Sequence, residues 1–310
     1  MVNFNFPPLG ASPFVVFVVN LPLSQLCTLN SFPSLPSPKR YPDFQWTFST
    51  LGCPELDLDA ICRLARAFDL EHIELRAAEG SVDLPALFRK RFGRPASLAR
   101  FLDDQGVGIC CLDTSLSLIG NDGESRRAFL EFLPWAEAIG TRMLRVFDGG
   151  TAEDGLDDAA LAQAEDTMEW WRREKEQSGW LAEVVVEIHS ALVHHRAIRR
   201  INQSIPHLNY IWDTHHTWAK GGDTIETSWK VLGSAVVNVH IKDSISRPSV
   251  RHPYTYVNLG DGRFPLEDTL ELLQNKGYRG FVSIEWEKMW HPYLPEINVA
   301  LRRGRELGWF

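Results

Sequence analysis

The strongest constraint in this chain is a rhythm. From Asp43 onward, eight short β-rich runs alternate with stretches whose apolar residues recur at helical spacing. Strands are predicted at Phe44–Ser49, His72–Leu75, Gly108–Asp113, Met143–Phe147, Val184–Ile188, Leu208–Trp212, Val236–Ile241 and Phe281–Glu285. Helices are expected over Leu58–Phe68, in the span up to Gln105, and over about Ser125–Ile139, Asp157–Gln177 and Leu294–Glu306. Each connection is long enough to hold a crossover helix, and such connections make neighbouring strands parallel. Eight repeats favour closure into an α/β fold, a (β/α)8 barrel. An open doubly wound sheet is the runner-up, but the turn after the first strand, Ser49-Thr-Leu-Gly-Cys-Pro54, lacks the glycine fingerprint of that architecture.

The start of the chain obeys no such pattern. No charged side chain precedes Lys39, and prolines recur from Pro7 to Pro42. Residues 1–42 are therefore expected to be a non-core extension and linker, and residues 43–310 the barrel domain. The apolar stretch Pro13–Leu23 imitates the centre of a signal peptide but lacks a basic start and a clear cleavage site. An extension, or an upstream start codon, is the preferred reading over an export signal. No apolar run approaches the roughly 20 residues that span a bilayer. The five cysteines are odd in number and show no C-x-x-C spacing, which suits reduced thiols in a cytoplasmic enzyme. Cys110 and Cys111 are expected to face opposite sides of the third strand.

In a barrel, functional groups gather where strands end. Four consecutive strand ends carry metal-capable side chains: Glu187 with His189, Asp213 with His216, His240 with Lys242, and Glu285 with Glu287. Side chains two apart share a face, so Glu187 and His189, His240 and Lys242, and Glu285 and Glu287 each point the same way. A lone carboxylate at a strand end is most often a cap or a solvated residue. Four metal-capable side chains on successive strands are poorly explained by coincidence. Three carboxylates and one imidazole make an oxygen-rich set for a divalent cation, with Mn²⁺ or Mg²⁺ ahead of Zn²⁺, and Co²⁺ also compatible.

Several segments resemble the xylose isomerase-like TIM barrel superfamily, the sugar phosphate isomerase/epimerase family. They include STLGCPELDL (49–58), HIELR (72–76), LRVFDGG (144–150), EIHS (187–190), WDTHHTWAKGGD (212–223), VHIKDS (239–244), LGDGRFPLED (259–268) and SIEWEKMWHP (283–292). The resemblance implies a metal held by Glu187, Asp213, His240 and Glu285, with Glu187 and Glu285 as the proton-transfer pair. His216 matches a further histidine near substrate or metal. Two positions depart from the pattern: Ser190 stands where Asp is frequent, and Asp223 where Glu is usual.

His189, His216, Lys242 and Glu287 are further candidates for substrate contact. Arg145 and Arg76, at two strand ends, either bind a substrate oxygen or pair with a site carboxylate. Trp286, Trp290 and His291 form an apolar wall or simply pack. The resemblance implies a metal-dependent isomerase or epimerase of a sugar, sugar phosphate or polyol, working through a metal-stabilised enediolate. A dehydratase sharing the first proton abstraction is the alternative. An apurinic endonuclease-like activity and a non-catalytic sugar binder rank lower. A net charge of −8 argues against nucleic acid as a partner. No membrane partner is expected, and a homo-oligomer is left open.

Overall fold

The computed structural model describes residues 40–310. The uncharged N-terminal stretch, its apolar segment and Cys27 lie outside the described residues. Eight strands form one parallel sheet: β1 (Gln45–Phe48), β2 (His72–Leu75), β3 (Gly108–Ile119), β4 (Met143–Gly149), β5 (Glu183–Glu187), β6 (Asn209–Asp213), β7 (Val236–Ile241) and, after a short hairpin of β8 (Asp243–Ile245) and β9 (Thr255–Val257), β10 (Phe281–Ile284). The order around the sheet is β1-β10-β7-β6-β5-β4-β3-β2. Between β1 and β2 the ring is completed by a single parallel bridge, Ser49 to Glu74. Side chains reinforce that seam. Thr47 Oγ1 donates to the His72 carbonyl at 2.9 Å, and Thr50 Oγ1 accepts from Arg76 N and Ala77 N at 2.9 and 3.0 Å. The expected (β/α)8 TIM barrel is the fold observed.

The helices cover the outside. They are α1 (Leu58–Ala67), α2 (Leu84–Phe92), α3 (Pro95–Gln105), α4 (Gly123–Leu130), α5 (Leu133–Ile139), α6 (Asp158–Ser178), α7 (His195–Ser204), α8 (Thr214–Ala219), α9 (Ile225–Leu232), α10 (Leu266–Asn275) and α11 (Ile297–Glu306). Local chemistry starts several of them. Asp57 and Asp157 accept from the backbone N–H three residues on, and Asp122 forms a capping box with Ser125. The single helix expected over 125–139 is two, because Pro134 supplies no N–H and sits best in a first helical turn. The hairpin β8–β9 is the main element not anticipated.

Packing begins ahead of the expected boundary at Asp43. Arg40 N donates to the Gly308 carbonyl at 2.7 Å, and the buried Tyr41 ring stacks on Phe44 with centroids 5.4 Å apart. Trp46 stacks on Trp309 at 5.4 Å, which ties the first strand to the end of the chain. Such aromatic pairs contribute about 0.5–1.5 kcal/mol beyond the area they bury. Inside the barrel, Cys110, Cys111, Met143, Val185 and Ile211 form one apolar cluster. The expectation that the two cysteines face opposite sides fails here. The β2–β3 register slips between Ile73 and Glu74, so Cys110 is an extra residue in the ladder and both thiols reach the same cluster.

Register then sets the height of the strand ends. Asp213 pairs directly with His240 across β6–β7, and His240 with Ser283 across β7–β10. Glu187 is level with Phe147 on β4 and Ile211 on β6. The C-terminal ends of four neighbouring strands therefore meet at one mouth, with Glu187 and Asp213 as last residues, His240 next to last and Glu285 one position beyond β10.

Candidate metal centre

One ligand atom from each of Glu187, Asp213, His240 and Glu285 lies within 4.8 Å of the others, and all four residues are buried. His240 Nδ1 stands 3.3 Å from Glu285 Oε2 and 3.7 Å from Glu187 Oε1. Asp213 ends β6 and caps α8. Its Oδ1 accepts from His216 N at 2.8 Å, while Oδ2 faces the cluster, 2.7 Å from Lys242 Nζ and 2.8 Å from His216 Nδ1. The capping role and the cluster role are thus filled by different oxygens of one carboxylate.

The donor set was tested against a divalent ion on its own geometry. His240 Nδ1, Asp213 Oδ2 and Glu187 Oε2 are buried and make no well-aligned hydrogen bond among the described residues. Buried polar atoms are rarely left so. Glu187 Oε2 turns to Arg145 Nε at 3.1 Å, whereas His240 Nδ1 and Asp213 Oδ2 face the cluster, with Glu187 Oε1 and Glu285 Oε2 beside the imidazole, and these donors offer a cradle for a cation. Three carboxylates with one imidazole suit a hard or borderline metal. The four residues fit the group.

His240 is aimed by a residue that sequence reasoning missed. Its Nε2 is 2.7 Å from Oε1 of Glu74, a carboxylate wholly buried in β2, and Asn238 Nδ2 donates to the other Glu74 oxygen at 3.1 Å. This bond holds a proton on Nε2 and leaves Nδ1 turned to the cluster. Burial opposes a charge on His240, but Glu74 and Glu285 outweigh it and raise the imidazole pKa well above its ordinary value. The available signal was parity: Glu74 lies two residues before Arg76 and so shares its face.

Lys242 sits among the carboxylates. Its Nζ is 2.7 Å from Asp213, 2.5 Å from Glu285 and 2.6 Å from Glu287. Burial works against this charge, yet the three carboxylates raise the pKa well above the usual lysine value. Burial likewise opposes ionisation of Glu285, but Lys242 and His240 hold its carboxyl well below the ordinary range. Arg145 is buried beside Glu187, with Nε 3.1 Å from Oε2. It also donates to the Thr114 carbonyl at 3.0 Å and lies 3.9 Å over the Phe147 ring.

The remaining sequence candidates are placed differently. His189 and His216 stand edge to face, 4.6 Å apart, beside Asp213. Burial, with Lys220 and Lys242 nearby, lowers both imidazoles, so they are neutral hydrogen-bonding groups. Glu287 is half-buried between Lys242 and His291, whose Nε2 is 3.7 Å from Glu287 Oε2. His291 packs on Tyr256 of the hairpin at 5.0 Å. Arg76 is held by the Asp113 carbonyl and Ser115 Oγ at 3.3 and 3.1 Å. Trp286 is not brought to the cluster. Lying out of phase with Glu285 and Glu287, it packs against Gly52 and donates to the Pro295 carbonyl at 2.8 Å. Trp290 is exposed.

Loop anchors complete the mouth. Buried Asp148 accepts backbone N–H groups of His189, Ser190 and Leu192 at 2.8–3.1 Å, fixing the turn after β5. Asp243 accepts from Ser244, Gly260, Gly262 and Phe264, so the glycines of Leu259–Gly262 serve a fold-back loop. Asp223 accepts from His195 N at 2.6 Å and pairs with its ring at 2.7 Å. That places the Asp223 departure at the start of α7.

Fold and site together define a (β/α)8 barrel whose acidic, histidine-containing cluster lies at the C-terminal mouth, where barrel enzymes carry their chemistry. Comparison with known proteins agrees. Residues 62–307 match the model of the xylose isomerase-like TIM barrel family, and the chain belongs to that family. No curated protein sequence matches it significantly. Among solved structures, the probable 3-DHS dehydratase AsbF of Bacillus anthracis, involved in petrobactin synthesis, superposes with a TM-score of 0.69 at 14% identity, covering 85% of this chain and 98% of that one. The IOLI protein, solved with a bound zinc atom, gives 0.66 at 14% identity over 85% and 97%. A D-tagatose 3-epimerase-like protein gives 0.62 at 15% identity over 85% and 96%. At these identities the likeness is one of fold. Among the described residues, no helix is long and apolar enough to cross a membrane.

Proposed function

We propose that this protein is a divalent-metal-dependent isomerase or epimerase acting on a small sugar-like substrate. The observation that carries the reading is the convergence of Glu187, Asp213, His240 and Glu285 within 4.8 Å at the barrel mouth. A bound ion, Mn²⁺ by preference over Mg²⁺, Co²⁺ or Zn²⁺, supplies Lewis acidity toward substrate oxygens. Glu187 and Glu285 come from strands on either side of His240. They are placed to remove a proton at one face of a carbon acid and return it at the other. Lys242 and His240 hold Glu285 ionised against its burial, and Arg145 Nε lies 3.1 Å from Glu187 Oε2. His189, His216 and Glu287 line the approach and offer hydrogen bonds to hydroxyl groups. Four buried free cysteines suit a cytoplasmic setting.

The test is incubation of the metal-loaded protein with ketoses, aldoses, sugar acids and sugar phosphates in deuterated water. Deuterium at the carbon that inverts or gains a proton is the expected result. Transfer of unexchanged substrate hydrogen would overturn the carboxylate mechanism. A new ultraviolet absorbance from an unsaturated product would favour the dehydratase reading, the class of reaction named for the probable 3-DHS dehydratase AsbF.

A further inference from the structure

Lys220 follows α8 at the edge of the metal cluster and is half-buried. Its Nζ donates to the His189 carbonyl at 3.0 Å, its one side-chain hydrogen bond among the described residues. No described carboxylate oxygen comes within the 4.0 Å that defines an ion pair. An ammonium carries three donors, so two are left without a protein acceptor.

The other buried cations of this mouth are engaged. Lys242 is ringed by three carboxylates, and Arg145 lies against Glu187 and Asp113. Arg76 has no carboxylate either, but both its terminal nitrogens already donate. Lys220 is thus the cation with charge and donors to spare. It lies close enough to the cluster for its charge to act on Asp213, Glu287, Lys242 and Asp148, and on His189, His216 and His252. Through the His189 carbonyl it stands beside the His189–His216 pair, whose second ring lies 2.8 Å from Asp213 Oδ2. A partly desolvated charge without a partner is costly, and a substrate that covered it without neutralising it would add to that cost.

We infer that Lys220 anchors an anionic group of the substrate, a carboxylate or a phosphate, beside the metal ligands. The substrate class is then a sugar acid or sugar phosphate, not a neutral sugar or polyol. This deepens the functional reading above and rests on it. A lysine ammonium is a point charge that serves either anion, so chemistry alone does not divide them.

Calorimetric binding to the Mn²⁺-loaded protein tests the inference with matched probes: ribulose against ribulose 5-phosphate, and glucose against glucuronate. Inorganic phosphate serves as a minimal probe. The anionic member of at least one pair should bind about tenfold tighter or more, the range of a charge-assisted hydrogen bond. The arm that shows the preference identifies the anion. Lys220→Met should remove the preference, and Lys220→Arg should restore most of it. Equal binding of both members in wild type, survival of the preference in Lys220→Met, or no binding by any anionic probe would overturn the inference. Elemental analysis of the same samples separates the two readings. Wild type that holds no metal defeats the functional proposal, whereas wild type that holds metal without anion preference defeats only the role of Lys220.

Discussion

Glu74→Gln is the most informative single change. The residue is wholly buried and its two oxygens accept from His240 Nε2 at 2.7 Å and Asn238 Nδ2 at 3.1 Å. The amide keeps the shape, removes the charge and replaces one acceptor with a donor. If its oxygen stays on His240, its NH₂ confronts the Asn238 NH₂. If it turns over, His240 must carry its proton on Nδ1, the nitrogen aimed at Glu187 and Glu285. Either outcome loses a buried hydrogen bond to a charged group, about 1.5–3 kcal/mol. At 1.4 kcal/mol per decade that is about 10–100-fold in metal affinity, the usual reach of a carboxylate behind a ligating histidine. Competition of Mn²⁺ against a chromogenic chelator measures the constant directly. Melting curves with and without Mn²⁺ should show the metal-dependent stabilisation shrinking in step. A variant whose affinity matches wild type within twofold would refute the claim that Glu74 aims His240.

Three further outcomes are expected. Glu187→Gln and Glu285→Gln should each lower turnover on whatever substrate is found by about a hundredfold or more, and Asp213→Ala should strip the metal, both readable by rate assay and elemental analysis. Burial pulls the His215 imidazole down to about 3, so as pH falls the unfolded chain takes up the proton first and stability is lost from about pH 6.5 downward. Between pH 6.5 and 5 the loss is about 2 kcal/mol, and His215→Phe should flatten that limb of a melting-temperature profile; an unchanged slope would count against it. A Cβ on Gly262 would meet Asp243 Oδ1 at 2.0 Å and Ser244 O at 2.5 Å, so Gly262→Ala should release the loop and lower the melting temperature.

The barrel was legible because its signal is repeated. Runs such as Val184–Glu187 and Tyr210–Asp213 are continuous buried stretches that end in a carboxylate, and the parallel register brings those ends to one mouth. Glu74 was not legible from its own surroundings. Within His72–Leu75 it reads as a strand residue, and its purpose exists only across the lumen, where His240 needs a fixed Nε2 partner. Lys220 lies in WDTHHTWAKGGD after the sixth strand, yet its lack of a counter-charge is a three-dimensional fact. Of the two readings offered for Trp286, packing is the one observed, because its neighbours Glu285 and Glu287 take the inward face. The hairpin β8–β9 escaped notice because each arm has three residues, too short for alternation to register.

The seam between β1 and β2 has a kinetic consequence. Every other joint in the ring is a ladder of paired residues, whereas this one is a single bridge pinned by threonine side chains. A closed ring with one weak joint breathes at that joint. Glu74 is one of the two residues that make it, so each opening withdraws the partner of His240 Nε2 from behind the ligand. For a metal held as proposed, escape is expected to keep time with the opening of the barrel. Amide exchange at Arg76 and Ala77, whose N–H groups are held by Thr50, should slow when Mn²⁺ is added, and the chelator-induced off-rate should track that exchange as temperature is varied.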